Sequence, residues 1–85
     1  MTELVQVNGH QIEVFYSIWN GRETIKYDGN VVCDRTNLST FSSTNSFKVK
    51  EEGEEVVYEV QSFAGFMGAS GYAIRRNGII QAHKP

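Results

Sequence analysis

Cysteine and proline are almost missing from this chain: Cys33 and Pro85 are the sole examples among 85 residues. One thiol excludes an internal disulfide and any metal site that needs two thiolates from one chain. Secreted domains of this size usually rely on several disulfides, so the chain is expected to be cytoplasmic. No apolar run approaches the roughly 20 residues that span a bilayer, and Met1-Thr2-Glu3-Leu4-Val5-Gln6 does not read as a signal peptide. Basic blocks are absent too. The formal charge is −2, from 8 basic and 10 acidic side chains, whereas a nucleic-acid partner would require a basic face to displace counterions. No window carries the helical repeat of apolar residues.

What the chain has instead is turns. Asn8–Gly9, Asn20–Gly21, Asp28–Gly29 and Asn77–Gly78 tolerate the positive φ of a tight hairpin, and Glu52–Gly53 is a looser fifth case. Between them apolar residues alternate. Ile12, Val14 and Tyr16 follow Gly9 at the same offsets at which Val56, Tyr58 and Val60 follow Gly53. This repetition predicts one all-β domain of about eight antiparallel strands, near 3–7, 10–19, 22–27, 31–35, 46–50, 55–63, 71–76 and 79–83. The units are 3–35 and 47–83, joined by a polar linker, 36–46. Neither unit can bury its apolar face alone. Two four-stranded sheets related by a pseudo-twofold, packed as a β-sandwich, satisfy this, and a small closed barrel is the alternative. An 85-residue domain buries only about 60–65% of its unfolded surface, which sets its stability at roughly 3–8 kcal/mol.

Register follows from the turns. A two-residue Asn20–Gly21 loop sets Val14 against Tyr27 and Tyr16 against Ile25 on the core face. It leaves Phe15, Trp19, Arg22 and Lys26 on the other. Bulged turns at Asp28–Gly29 and Asn77–Gly78 set Ile25 against Cys33 and Ile74 against Ala82, two equivalent small core positions.

Several residues are candidates for function. The halves differ most between Ser62 and Gly71, where five extra residues are assigned to a hairpin tip with Phe66 and Met67 near its apex. Glycines allow close backbone approach, and an aromatic beside a thioether gives an adaptable apolar contact. The tip is therefore a candidate binding or self-association loop, or else a lid over the core. Phe15 and Trp19, framed by Arg22 and Lys26, are a second candidate surface for a protein partner or a sugar ring; simple cross-strand pairing competes with that reading. The acidic turn Glu51–Glu52–Gly53–Glu54–Glu55 lacks the alternating oxygen spacing of a calcium loop and reads as a solvated tip. No phosphate loop, nucleophile elbow or zinc set is present, since His10 and His83 would need further ligands.

The stretches Asn8-Gly9-His10-Gln11-Ile12-Glu13-Val14-Phe15 and Asn20-Gly21-Arg22-Glu23-Thr24-Ile25-Lys26-Tyr27-Asp28-Gly29 are similar to the hairpin pattern of the Fas apoptosis inhibitory molecule family. Phe47-Lys48-Val49, Tyr58-Glu59-Val60 and the segment from Gly71 to Gly78 continue the rhythm. The chain also resembles small bacterial β proteins of unassigned function, in which Gly-[Lys/Arg]-Glu precedes an Asp-Gly turn. The first resemblance implies an antiparallel β-sandwich that acts through protein contacts without catalytic residues, and it assigns no site.

The expectation is thus a non-catalytic protein-interaction or self-association module, without cofactor or metal. Phe66, Met67, Trp19, Phe15 and Arg22 are its candidate contacts. The alternatives are a binder of a small apolar molecule in a cavity lined by Tyr16, Tyr27, Tyr58 and Phe63, and an enzyme in which His10, His83 and a carboxylate converge.

Overall fold

The structure is a computed structural model, and it describes residues 2–17, 20–36, 42–64 and 70–84, without the side chains of residues 42, 64 and 70. Its strands are β1 (Thr2–Val7), β2 (His10–Tyr16), β3 (Arg22–Tyr27), β4 (Asn30–Thr36), β5 (Ser42–Glu51), β6 (Glu54–Ala64), β7 (Ser70–Arg76) and β8 (Ile79–Lys84). They form two antiparallel four-stranded meanders, β1-β2-β3-β4 and β5-β6-β7-β8, neither closed into a barrel. Inward-facing residues of both sheets share one core: Val7, Ile12, Val14 and Ile25 from the first, Phe47, Val56, Tyr58, Val60 and Ile74 from the second. The expected sandwich is what the alternation produces. Among the described residues there is no helix long and apolar enough to cross a membrane.

Four turns carry positive φ at both central residues: Asn8–Gly9, Asp28–Gly29, Glu52–Gly53 and Asn77–Gly78. This is the type I′ geometry whose twist matches that of the flanking strands. Two of them also share a clip. Asp28 accepts the Gln11 N–H through Oδ1 at 2.9 Å, and Asn77 accepts the Val57 N–H through Oδ1 at 3.0 Å. Glu52 is the odd member, a longer side chain at φ 53° where asparagine is preferred. Glu52→Asn is expected to raise the urea midpoint, by up to about 1 kcal/mol in stability. An unchanged or lowered midpoint would show that the strain is relieved elsewhere.

The bulges exist but not at the turns. Tyr27 faces Asn30 and Lys26 faces Val31 across a tight turn, and only then does Val32 intrude, so that Ile25 meets Cys33. In the second half Arg76 faces Ile79, Arg75 faces Ile80, Gln81 intrudes and Ile74 meets Ala82. The extra residue sits one pleat into the edge strand, and Cys33 and Ala82 both pack against the core as equivalent positions.

The Asn20–Gly21 loop is wider than a two-residue turn. Among the described residues of the loop, Gly21 has positive φ, at 69°, and Asn20 does not. Ser17 N–H donates to the Arg22 carbonyl at 3.0 Å, and Gly21 N–H donates to the Ser17 carbonyl at 2.9 Å. The strand β2 therefore ends at Tyr16 rather than at 19, and Val14 opposes Ile25 while Ile12 opposes Tyr27. A slip of two residues leaves the described side chains of β2 and β3 on their expected faces.

The repeat itself is offset from the match counted along the turns. By strand pairing, Val14–Ile25–Cys33 corresponds to Val60–Ile74–Ala82, which equates Ile12 with Tyr58 and not with Val56. The β5–β6 hairpin runs two residues further per strand before turning at Glu52–Gly53. Two of the five extra residues thus lengthen this hairpin, and three lie at the β6–β7 tip.

The polar segment 36–46 is not a linker throughout. β5 begins at Ser42 and pairs with β6 from Ser42–Phe63 to Glu51–Glu54. Its hydroxyl and amide side chains favour loops as a rule, but Ser43 and Asn45 turn inward to solvate a buried carboxylate. Leu38 and Phe41, expected to pin the linker, lie outside the described residues.

Candidate functional site: two buried carboxylates and an open sheet face

Glu51 ends β5 with its side chain between the sheets, 3% exposed. The lengthened hairpin puts it there: Glu51 alternates with Val49 and Phe47, so it takes the inward face. Oε1 accepts Asn8 Nδ2 at 2.9 Å and Arg76 Nε at 3.0 Å, and the second Arg76 nitrogen lies 2.9 Å away. Oε2 accepts the Tyr27 hydroxyl at 2.6 Å and the Tyr58 hydroxyl at 2.5 Å. Asn8 and Tyr27 come from the first sheet, Tyr58 and Arg76 from the second. Tyr27 and Arg76 are counterparts in the repeat, so one carboxylate gathers a matched pair of positions at its centre.

The electrostatics follow from this geometry. Burial alone pushes the Glu51 carboxyl up, but hydrogen bonds from Tyr27, Tyr58, Asn8 and Arg76 outweigh it and hold the pKa at about 2. Burial and then the bond to Glu51 raise both phenols, Tyr58 to about 12 and Tyr27 further still. A carboxylate with its lone pairs taken and so low a pKa is a poor general base and, near neutral pH, not an acid. Its chemistry is that of a clasp between sheets.

A second buried carboxylate, Glu23, lies at the opposite end of the core and is also 3% exposed. It accepts the Ser43 hydroxyl, Asn45 Nδ2 at 2.9 Å and Arg35 Nε at 3.3 Å. Arg35 also donates to the Thr44 carbonyl, and the Cys33 thiol, its pKa raised by burial, reaches the Ser46 carbonyl at 3.8 Å. These contacts sew β4 onto β5 across the sandwich. Among the described residues every buried side-chain nitrogen or oxygen has a partner.

The histidines do not converge. His10 Nδ1 lies 2.6 Å from Asp28 Oδ2, and its ring stacks on Tyr27 with centroids 5.0 Å apart. The bond from Gln11 N–H and then the one to His10 hold the Asp28 carboxyl below its ordinary range. His83 stands on β8 opposite Ala73, on the outer face of the second sheet. No group of three or more His, Cys, Asp or Glu side chains is gathered as a metal ion would require, among the described residues.

Of the aromatics assigned to an interior cavity, Tyr27 and Tyr58 pack on each other and on Phe47, with centroids 5.3 to 6.0 Å apart. Phe63 is not an interior residue. It faces outward across the Phe63–Gly71 pair, with its ring against the glycine.

Of the proposed contact residues, Trp19, Phe66 and Met67 lie outside the described residues. Phe15 does stand on the outer face of the first sheet, half-buried, with Thr2 opposite it on one side and Thr24 on the other. Thr2, Glu13, Phe15, Thr24 and Lys26 line an open depression of about 330 Å³. Lys26 and Glu13 sit 3.7 Å apart at its rim. Arg22 is drawn away into a two-pronged pair with Asp34, at 2.8 and 3.2 Å, which the Thr24 hydroxyl joins.

Glu51 and Glu23 are the residues that reading the chain alone passed over. Glu51 was hidden in an acidic turn expected to be solvated, although its parity with Phe47 and Val49 was a usable signal. No family model, no curated protein and no solved structure matches this chain.

Proposed function

We infer that this chain is a non-catalytic protein-interaction module whose contact surface is the outer face of the first sheet around Phe15. The observation that carries this reading is a contrast between interior and surface. Inside, the buried carboxylates Glu51 and Glu23 are each held by several hydrogen bonds, and among the described residues every buried side-chain nitrogen or oxygen has a partner. Outside, an aromatic ring floors an open depression rimmed by one cation, one anion and two hydroxyls. Aromatic side chains with a polar rim are the usual anchors of protein contacts. The resemblance of the hairpin pattern to the Fas apoptosis inhibitory molecule family implies action through protein contacts, and it assigns no surface. Trp19, Phe66 and Met67 remain proposed contacts, and the cytoplasm remains the proposed compartment.

Affinity capture from the native host with the full chain, followed by titration of the captured protein, tests it. Phe15→Ser is expected to weaken binding at least about tenfold, as loss of an aromatic anchor does, and Lys26→Glu to weaken it less. Retained circular dichroism and melting temperature would tie the loss to contact. Equal affinity for Phe15→Ser and wild type would remove Phe15 from the surface and sink this reading.

A further inference from the structure

The four sheet edges of this sandwich are not alike. An edge strand presents unpaired N–H and C=O groups to solvent, and natural proteins blunt it with bulges, charges or cover. β4 and β8 each carry a bulge, at Val32 and Gln81. On β5 the edge carbonyls of Thr44 and Ser46 are taken by Arg35 and Cys33, and Lys48 points outward nearby. β1 carries no bulge among the described residues, and its one charge, Glu3, shares the inward parity of Val5 and Val7 and is paired with Lys84 of β8. It is six residues long, unbroken in register from Thr2 to Val7, and Leu4 at its middle is 60% exposed.

Which groups β1 leaves open can be worked out from its neighbour. The Gln11 carbonyl accepts the Asp28 N–H at 2.8 Å, and the Gln11 N–H donates to Asp28 Oδ1. Both main-chain groups of Gln11 therefore point toward β3 and away from β1. Gln6, opposite Gln11, sits in a non-hydrogen-bonded pair, and its own N–H and C=O face the open edge. Pairs alternate along an antiparallel ladder, so Leu4 and Thr2 face outward as well. The turn agrees, because a two-residue type I′ loop closes on a hydrogen-bonded pair, here Val7–His10.

We propose that β1 is a self-pairing edge, and that two copies of this chain join through it, antiparallel, into one continuous eight-stranded sheet with Leu4 on the two-fold axis. With Leu4 opposite Leu4 of the second copy, Thr2 falls opposite Gln6 and Gln6 opposite Thr2. This register pairs the outward N–H and C=O of all three residues in both copies; a shift of two either way leaves some unpaired. It also sets the two exposed Leu4 side chains against each other on the outer face. Charge does not oppose it: Glu3, the sole charged residue of β1, is neutralised by Lys84 Nζ at 2.6 Å. The contact is isologous, so it closes at two copies. The pairing goes beyond the outer-face reading above and does not depend on it.

Light scattering on the full chain between about 1 µM and about 1 mM tests the pairing, a span that covers weak and moderate dimers. Wild type is expected to pass from the mass of one chain to that of two. Leu4→Lys places two like charges on the axis. Leu4→Pro removes an N–H that faces solvent in the single chain, a position where a strand tolerates proline. Both variants are expected to keep the mass of one chain throughout; should Leu4→Pro fail to fold, Leu4→Lys decides. Hydrogen exchange on wild type reads the register without any variant, since the Leu4 and Gln6 amides gain protection only as the dimer forms. A wild type that stays single at 1 mM, a Leu4→Lys chain that dimerises as well as wild type, or Leu4 exchange independent of concentration would each overturn the proposal.

Discussion

Glu51→Ala is expected to destabilise the domain by about 3–5 kcal/mol, the usual cost of breaking a buried ion pair by deleting one partner. Against a total of roughly 3–8 kcal/mol for a domain of this size, that leaves the variant largely unfolded at room temperature. The deletion strips the acceptor from two phenols, an amide and a guanidinium at once, and all four belong to the junction between sheets. Glu51→Gln keeps the shape but loses the charge, and should cost less. Urea denaturation followed by circular dichroism measures both. If Glu51→Ala remains within 1 kcal/mol of wild type, the clasp contributes little and the apolar core alone holds the sheets together.

The same residue sets the acid limit of stability. The folded carboxyl titrates at about 2 and the ordinary one near 4.5. A depressed folded pKa contributes stability that is present in full above the unfolded value and is lost as pH falls through the folded one. Roughly 3 kcal/mol should therefore disappear between about pH 4.5 and pH 2. Glu51→Gln should lose that part of the pH dependence. The phenols set the opposite limit. Tyr58 is raised from 10.0 to about 12, so its contribution is complete below pH 10 and fades as pH rises through 12.

Gly71→Ala is expected to have the second largest effect, about 2–3 kcal/mol, within the range of overpacked sites. A Cβ on Gly71 would overlap the Lys84 carbonyl oxygen and the Phe63 ring, both well inside van der Waals contact. The ring can move, but the carbonyl belongs to the β8 backbone. Phe63→Ala combined with Gly71→Ala should accordingly recover only part of the loss. Complete recovery would mean that the ring alone required the glycine. No measurable loss would mean that β8 yields at its end. Phe63 shields the bare glycine backbone across the β6–β7 pair, an arrangement that also keeps it out of the core.

Most of the architecture was legible because it is written in local chemistry. The φ preference of Asn-Gly and Asp-Gly pairs and the period-two alternation of Val, Ile and Tyr act within a few residues. They suffice to place eight strands, three of the four tight turns and most of the inward faces; Phe63, expected inside, faces out. Even the wider Asn20–Gly21 loop cost no face assignment among the described residues, because the slip was an even number of residues. The bulges were visible as a need, since Ile25 must reach Cys33 and Ile74 must reach Ala82. Their place one pleat into β4 and β8 was set by the type I′ turns, which keep their tight geometry and push the mismatch into the strand.

The clasps around Glu51 and Glu23 were not legible in this way beyond the parity of Glu51, because most of their partners lie far along the chain. Asn8 is 43 positions from Glu51, and Asn45 is 22 from Glu23. A carboxylate within an acidic turn looks solvated until the opposing sheet supplies its donors. Sequence by itself determined the class, the two meanders and the polarity of each face, because backbone torsion preference and the alternation of apolar burial are short-range. Only the tertiary structure decided which charges went inside, which glycine met a neighbour's backbone and which edge stayed open. Those outcomes depend on the distance between strands remote in the chain, and that distance exists only once the sheets are packed.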